Sequence, residues 1–233
     1  MMLAPKSKQG KSKGSNMKKV KIRRARLEDI EEILIVEKEA WPEKLRATKE
    51  QFRSRIETFP GGTLVAIVDG VVVGVVSAEI VAYDVKNPIA TWAEVTDSGF
   101  IKKTHNPKGD TLYGVDLTVS QFAENTSKLL MQEVGKLVIR YNLKQGILGA
   151  RIPRYHKFKD KMTVEEYMNG KRGKHPMDPE LSFYTKMGLE AVKALPNYID
   201  DPESCSYGVL MVWKNPFYGK PFPKFWSWLF RIK

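Results

Sequence analysis

Three side chains in this sequence have the character of a general base, and the surroundings of each decide how it would titrate. Asp116 interrupts an apolar run from Leu112 to Val119, where burial would raise a carboxyl pKa toward neutrality. A carboxylate there can equally bond a neighbouring amide or arginine. Glu79 lies among Ser77, Ala78 and Ile80, where a solvated strand face is the alternative. His156 has a suitable intrinsic pKa and stands just past an apolar strand, beside Arg151 and Tyr155, although a lone histidine is more often structural. His105 and His175 lie in polar segments and are expected to be solvated. Three dispersed histidines and one cysteine make no metal-ligand cluster, so no metal is expected. Cys205, in a turn-rich segment, has no obvious partner to activate it as a nucleophile.

These residues depend for their placement on one stretch, residues 111–151. Leu112 to Val119 is apolar or β-branched at nearly every place, which suits an interior strand. From Asn125 the period changes: Leu130, Val134, Leu137 and Val138 share one helical face, opposite Lys128, Gln132, Glu133 and Lys136. A helix of about 25–30 Å is expected, followed by a second apolar strand at residues 146–151. Asn125, Thr126 and Ser127 stand at the helix start, where they can cap the first amides or leave them free for an anion. That is a seat suited to a diphosphate.

The 233 residues, 42% hydrophobic, suit one compact domain with tails. A single cysteine, no signal peptide and no long apolar run point to a reducing, cytoplasmic setting. The net charge of +12 is uneven. Residues 1–18 hold lysines and no acid in a Ser/Gly-rich context, and Met17 is a second candidate start, so a disordered basic leader or tag remnant is expected. Four of the 39 basic residues precede Lys18, which leaves the remainder only moderately basic, as suits a polyanionic cofactor. The tail at 215–233 interleaves Phe217, Tyr218, Phe222, Phe225, Trp226, Trp228 and Phe230 with Lys220, Lys224 and Arg231. Such a run suits a membrane interface, but packing on its own domain or a partner subunit is the favoured expectation. A homodimer is compatible with it; nucleic-acid binding, which would rest on the lysine-rich start and these aromatics, lacks a recognisable motif and is not expected.

Taken in order, residues 20–25 alternate as a strand, and a helix follows from Leu27 to Trp41, stopped by Pro42. A second helix is expected at Thr48 to Thr58, with Thr48 as cap and Gln51 three residues on. Asp69-Gly70 between two β-branched runs, Thr63–Val68 and Val71–Tyr83, predicts a tight hairpin. Residues 84–110 read as a long surface connection with some helix around Ile89 to Val95. Residues 152–177 read as an insertion carrying a short helix at Met162–Met168. Asp178-Pro179 opens a helix that Gly188 ends, and two strands follow, Ala191–Leu195 and Tyr207–Trp213.

This order, together with the run Phe183-Tyr184-Thr185-Lys186-Met187-Gly188-Leu189, resembles the GNAT superfamily of acyl-CoA-dependent N-acyltransferases over residues 19–214. The segments GARIPRYHKF (149–158), DPELSFYTKMGL (178–189) and LPNYIDDPES (195–204) look more narrowly like GNAT-type proteins or domains associated with carbon–nitrogen hydrolases. The resemblance implies an α/β fold, a central mixed, mostly antiparallel sheet flanked by helices. It also implies acetyl-CoA or another acyl-CoA lying between the 112–119 and 146–151 strands, transferring its acyl group to a small-molecule or peptide amine.

On that resemblance, backbone groups of Leu117, Thr118 and Val119 would hold the pantetheine arm. The amides of Asn125, Thr126, Ser127 and Lys128 would hold the diphosphate. Tyr184 matches the family tyrosine that contacts the cofactor and can protonate the departing thiolate; a tyrosine packed on the core helix is the alternative. Asp116, Glu79 and His156 compete as the base, and Trp41, Arg151 and Tyr155 are the candidate substrate contacts. One departure stands out: residues 121–127 carry no glycine where the family has small residues, and they include Glu124. An acid near a diphosphate costs on the order of 1 kcal/mol through like-charge repulsion. Two outcomes follow: a working acyltransferase, or a catalytically inactive binding module of the same fold acting through protein or membrane contacts.

Overall fold

The computed structural model describes residues 19–88, 91–120 and 125–232. The leader at 1–18 and the part of the glycine-free loop that contains Glu124 lie outside the described residues. In chain order the elements are β1 (Lys21–Arg24), α1 (Ile30–Ala40), α2 (Lys49–Thr58), β2 (Thr63–Val68), β3 (Val71–Val81), α3 (Trp92–Val95), β4 (Thr111–Val119) and α4 (Thr126–Arg140). There follow β5 (Gln145–Arg151), α5 (Val164–Asn169), β6 (Lys171–Arg172), β7 (His175–Pro176), α6 (Pro179–Lys186), β8 (Glu190–Leu195), β9 (Gly208–Lys214) and α7 (Pro223–Leu229).

Local chemistry accounts for the boundaries. Thr48 accepts the Gln51 amide while the Gln51 side chain accepts the Thr48 amide, so two otherwise orphaned donors at the start of α2 are satisfied. Asp69 and Gly70 both take positive φ, 53° and 87°, the geometry that lets β2 and β3 close with a two-residue turn. Asp178 caps the Glu180 and Leu181 amides, Pro179 opens α6, and Gly188, at φ 88°, lets the chain leave it. At the start of α4, where capped and free amides were both open, Asn125 sits in the left-handed region and its side chain makes no cap bond.

Seven strands form one sheet in the order β1-β2-β3-β4-β5-β9-β8, with β6 and β7 as a separate small hairpin. All pairings in the large sheet are antiparallel except β4 with β5. One face is covered by α1 and α2, whose Ile30, Ile33, Val36, Phe52 and Ile56 pack on Val65 and Val75. The other is covered by α4 and α6, whose Leu130, Val134, Leu181 and Tyr184 join Leu64, Val76, Leu117 and Leu148.

Two irregularities meet at the centre. β4 and β5 pair only at Thr111↔Gln145, Leu112↔Gly146 and Tyr113↔Ile147, after which they part. Opposite this point Gly114 pairs with Ala78 and Asp116 with Ser77, so Val115 is the extra residue of a β-bulge. A bulge bends its strand and re-aims the following side chains.

Several expectations are corrected. In the 84–110 connection the described helix is shorter, Trp92–Val95, and residues 89–90 lie outside the description. Glu79 does not face solvent: it is fully buried on β3, because α2 and the 97–105 segment close over that strand. His105 is half-buried rather than solvated, stacked 4.6 Å from the Phe59 ring and accepting the Ile80 amide at Nδ1. The tail contains a helix, α7, that the sequence pattern did not announce.

Candidate active site at the parting strands

Beyond the bulge, alternation sends Asp116 and Thr118 toward α1 and α2, and Leu117 toward α4 and α6. Thr118 Oγ1 accepts a hydrogen bond from Trp41 Nε1 at 2.9 Å and donates to Glu37 Oε1. Glu37 Oε2 accepts the Ala47 amide at 2.9 Å, which ties the end of α1 to the segment before α2. Asp116 pairs with Arg55 Nη1, and Arg55 Nε donates to the Gly99 carbonyl at 2.6 Å. Glu37, Trp41, Arg55, Trp92, Asp116 and Asp200 line one pocket on this face of the sheet.

Burial dominates the electrostatics here. Glu37 is pushed up to about 7 by burial and by the Asp116 charge, against the bonds from Thr118 and Ala47. Burial also pushes Asp116 up, against the attraction of Arg55. Glu79, bonded to Thr104 Oγ1, is raised to about 8 by burial. Asp116 is held by a cation, whereas Glu37 forms no ion pair among the described residues. Glu37 is therefore the pocket's more available proton acceptor near neutral pH.

On the opposite face, Tyr184 is fully buried, and its hydroxyl has no hydrogen-bond partner among the described residues. Burial and the nearby Glu180 raise its pKa well above the usual value, so it is a neutral phenol that can donate a proton. An unpartnered buried hydroxyl costs roughly 1–3 kcal/mol, a sign of a group kept for a ligand. Thr126 Oγ1, at the start of α4, is likewise buried and unpartnered. The separation of β4 from β5, the free Tyr184 hydroxyl and the α4 start fit an acyl-CoA.

The remaining candidates divide. Arg151, at the end of β5, bonds Asp201 at 2.8 Å and Glu203 at 3.2 Å, and its guanidinium lies 5.2 Å from the Trp41 ring centre. It joins the two sides of the gap. Leu117, Thr118 and Val119 are on the strand edge that β5 leaves, and Val115 O there accepts Trp92 Nε1. Asn125, Thr126, Ser127 and Lys128 form the first turn of α4. His156, by contrast, bonds the Glu203 carbonyl at 2.9 Å and does not line the pocket. Tyr155 packs in the core against Tyr167 and Tyr207. Glu37 and Arg55 are the residues that sequence reasoning missed. Each lies on the apolar stripe of its helix, Glu37 four residues after Ile33 and Arg55 three after Phe52, and a charge on a buried stripe was the available signal.

No family model matches the chain. It is 37% identical over 198 residues to an uncharacterized N-acetyltransferase of Bacillus subtilis strain 168, YkwB, covering 82% of this chain and 87% of that protein. It is 34% identical over 204 residues to a probable hydrolase of the same organism, YhcX, but spans only 40% of that relative's length while covering 86% of its own. The loading GNATL domain of CurA from Lyngbya majuscula superposes with a TM-score of 0.73 at 19% identity, covering 84% of this chain and 98% of that domain. A sheet parting after Tyr113, a bulge beside it and a buried tyrosine on the facing helix thus coincide with an N-acetyltransferase relative matched over most of both lengths. The chain belongs to the GNAT family of N-acetyltransferases.

Proposed function

We propose that the protein transfers an acyl group from an acyl-CoA to an amine by direct attack. The parting of β4 and β5 is the observation that supports this reading: beyond it β4 carries Asp116 into the pocket that Glu37 lines, while Tyr184 lies under the opposite face of the sheet. Bound acyl-CoA supplies the activated acyl group. Leu117 to Val119 orient its pantetheine arm, and the amides of Asn125 to Lys128, at the positive end of α4, hold its diphosphate. The amine enters between Trp41 and Trp92, where Glu37, Asp116 and Asp200 favour a cation and the indole faces add to that attraction.

The bound cation first gives one proton to solvent; Glu37 takes the second proton, which the neutral amine loses as the C–N bond forms, and Tyr184 gives its hydroxyl proton to the sulfur as the C–S bond breaks. Asp116, paired with Arg55, shapes the field and is not free to take a proton. Arg151 positions Trp41 and holds the end of β5 open. Both small-molecule and peptide amines fit this scheme.

The test is calorimetric titration with acetyl-CoA and longer acyl-CoAs, followed by thiol release in the presence of an amine panel. Micromolar binding with amine-dependent thiol release supports the proposal. Absence of binding by every acyl-CoA overturns it and leaves the inactive binding module.

A further inference from the structure

The C-terminal helix α7 is apolar on two faces, and the domain covers one of them. On the inner side, Ser227 Oγ donates to the Lys136 carbonyl at 3.0 Å, and Trp226 stacks on Phe217 with centroids 5.2 Å apart. Phe230, just past the helix, lies 5.4 Å from Trp213 and fits over Gly135, where an added Cβ would come within 2.6 Å of its ring. The inner side of the tail is thus docked on α4.

On the outer side, Phe222, Phe225, Trp228 and Leu229 are 77%, 51%, 68% and 47% exposed. Phe222, Phe225 and Leu229 recur at helical spacing and Trp228 adjoins them, so they form one stripe. A contiguous aromatic stripe on a domain surface marks a contact site. Its charge context is one-sided: no acid follows Glu203 in the sequence, while Lys214, Lys220, Lys224 and Arg231 are all exposed.

Exposed rings flanked by Lys214, Lys220, Lys224 and Arg231 complement an anionic lipid surface, where rings settle at headgroup depth and cations meet phosphates. A second copy of this chain fits less well, since like charges would face one another and lysine is depleted at protein interfaces. We propose that the outer face of α7 with its flanking cations docks the protein on anionic bilayers. The seven-residue helix lies on the surface, and no helix among the described residues is long and apolar enough to cross a membrane.

The experiment is co-sedimentation of the full chain with phosphatidylglycerol-containing vesicles and with pure phosphatidylcholine vesicles, at about 0.1 M and 0.5 M salt. The native chain is compared with a Phe225→Ser/Trp228→Ser double variant. The lysine-rich start is intact in both, so a difference isolates the tail; both positions are exposed, so an unchanged melting temperature accompanies it. Expected is at least tenfold stronger partitioning onto the anionic vesicles, weakened by salt, and at least a tenfold loss in the variant. Equal partitioning of the two proteins, or none onto anionic vesicles, overturns the proposal. A concentration-dependent dimer that the variant abolishes, without vesicle binding, assigns the face to a second copy instead.

Discussion

Thr118 donates its hydroxyl hydrogen to the carboxylate of Glu37, 81 residues away in the chain, and so fixes an acid of α1 beside the strand on which the acyl group would lie. The same hydroxyl accepts Trp41 Nε1, so one threonine orients both the proton acceptor and a wall of the pocket. From this relationship comes the sharpest expectation about catalysis.

Glu37→Gln keeps the shape and the Thr118 contact but cannot take a proton. Turnover should fall about 10²- to 10⁴-fold while acyl-CoA affinity stays within about twofold. Glu37 must be ionised to act, and its pKa is about 7, so native kcat should climb with pH up to that value and then level. The variant should lack this limb and keep only the one that belongs to the amine. A limb near pH 7 persisting in the variant would remove Glu37 from the mechanism.

Tyr184→Phe separates chemistry from packing. Removing an unpartnered buried hydroxyl relieves roughly 1 kcal/mol or more of desolvation cost, so the melting temperature of the unliganded protein should hold or rise by a few degrees. Turnover should nevertheless fall tenfold or more. A variant with native turnover would make Tyr184 a packing residue.

Glu79 predicts a pH dependence of stability. Its carboxyl is raised to about 8 by burial, above its value in an unfolded chain, so the folded state keeps a proton that the unfolded state loses. The contribution is complete below the unfolded pKa, near 4.5, and is lost as pH rises through about 8. Melting temperatures between pH 5 and 9 should therefore decline less for Glu79→Gln than for the native protein; parallel curves would contradict the assignment.

Gly149→Ala should destabilise through contact alone. A Cβ there would stand 2.1 Å from the Tyr198 ring, whose hydroxyl lies 2.8 Å from that of Tyr113 on the neighbouring strand. Displacing that ring should cost about 1–3 kcal/mol, measurable as a lower denaturation midpoint.

What the sequence by itself determined is what neighbours in the chain decide. The Thr48–Gln51 box, the Asp69-Gly70 turn, the Asp178-Pro179 start and Gly188 stop of α6, and the strand–helix–strand of 111–151 all rest on hydrogen bonds or backbone preferences within a few residues. Tyr184 stood out as a candidate because the run Phe183–Leu189 around it is contiguous. Glu37 was not: it is one acid among several on α1, and neither composition nor spacing says which of them loses its water. Only the tertiary structure decided that, by closing Trp41, Thr118 and Ala47 around it. The same holds for Glu79, which reads as a solvated strand residue until the 97–105 segment covers it, and for His156, whose favourable intrinsic pKa says nothing of the side of the molecule it faces. Burial is set by contacts between distant parts of the chain, and burial is what gives these carboxylates their protons near neutral pH.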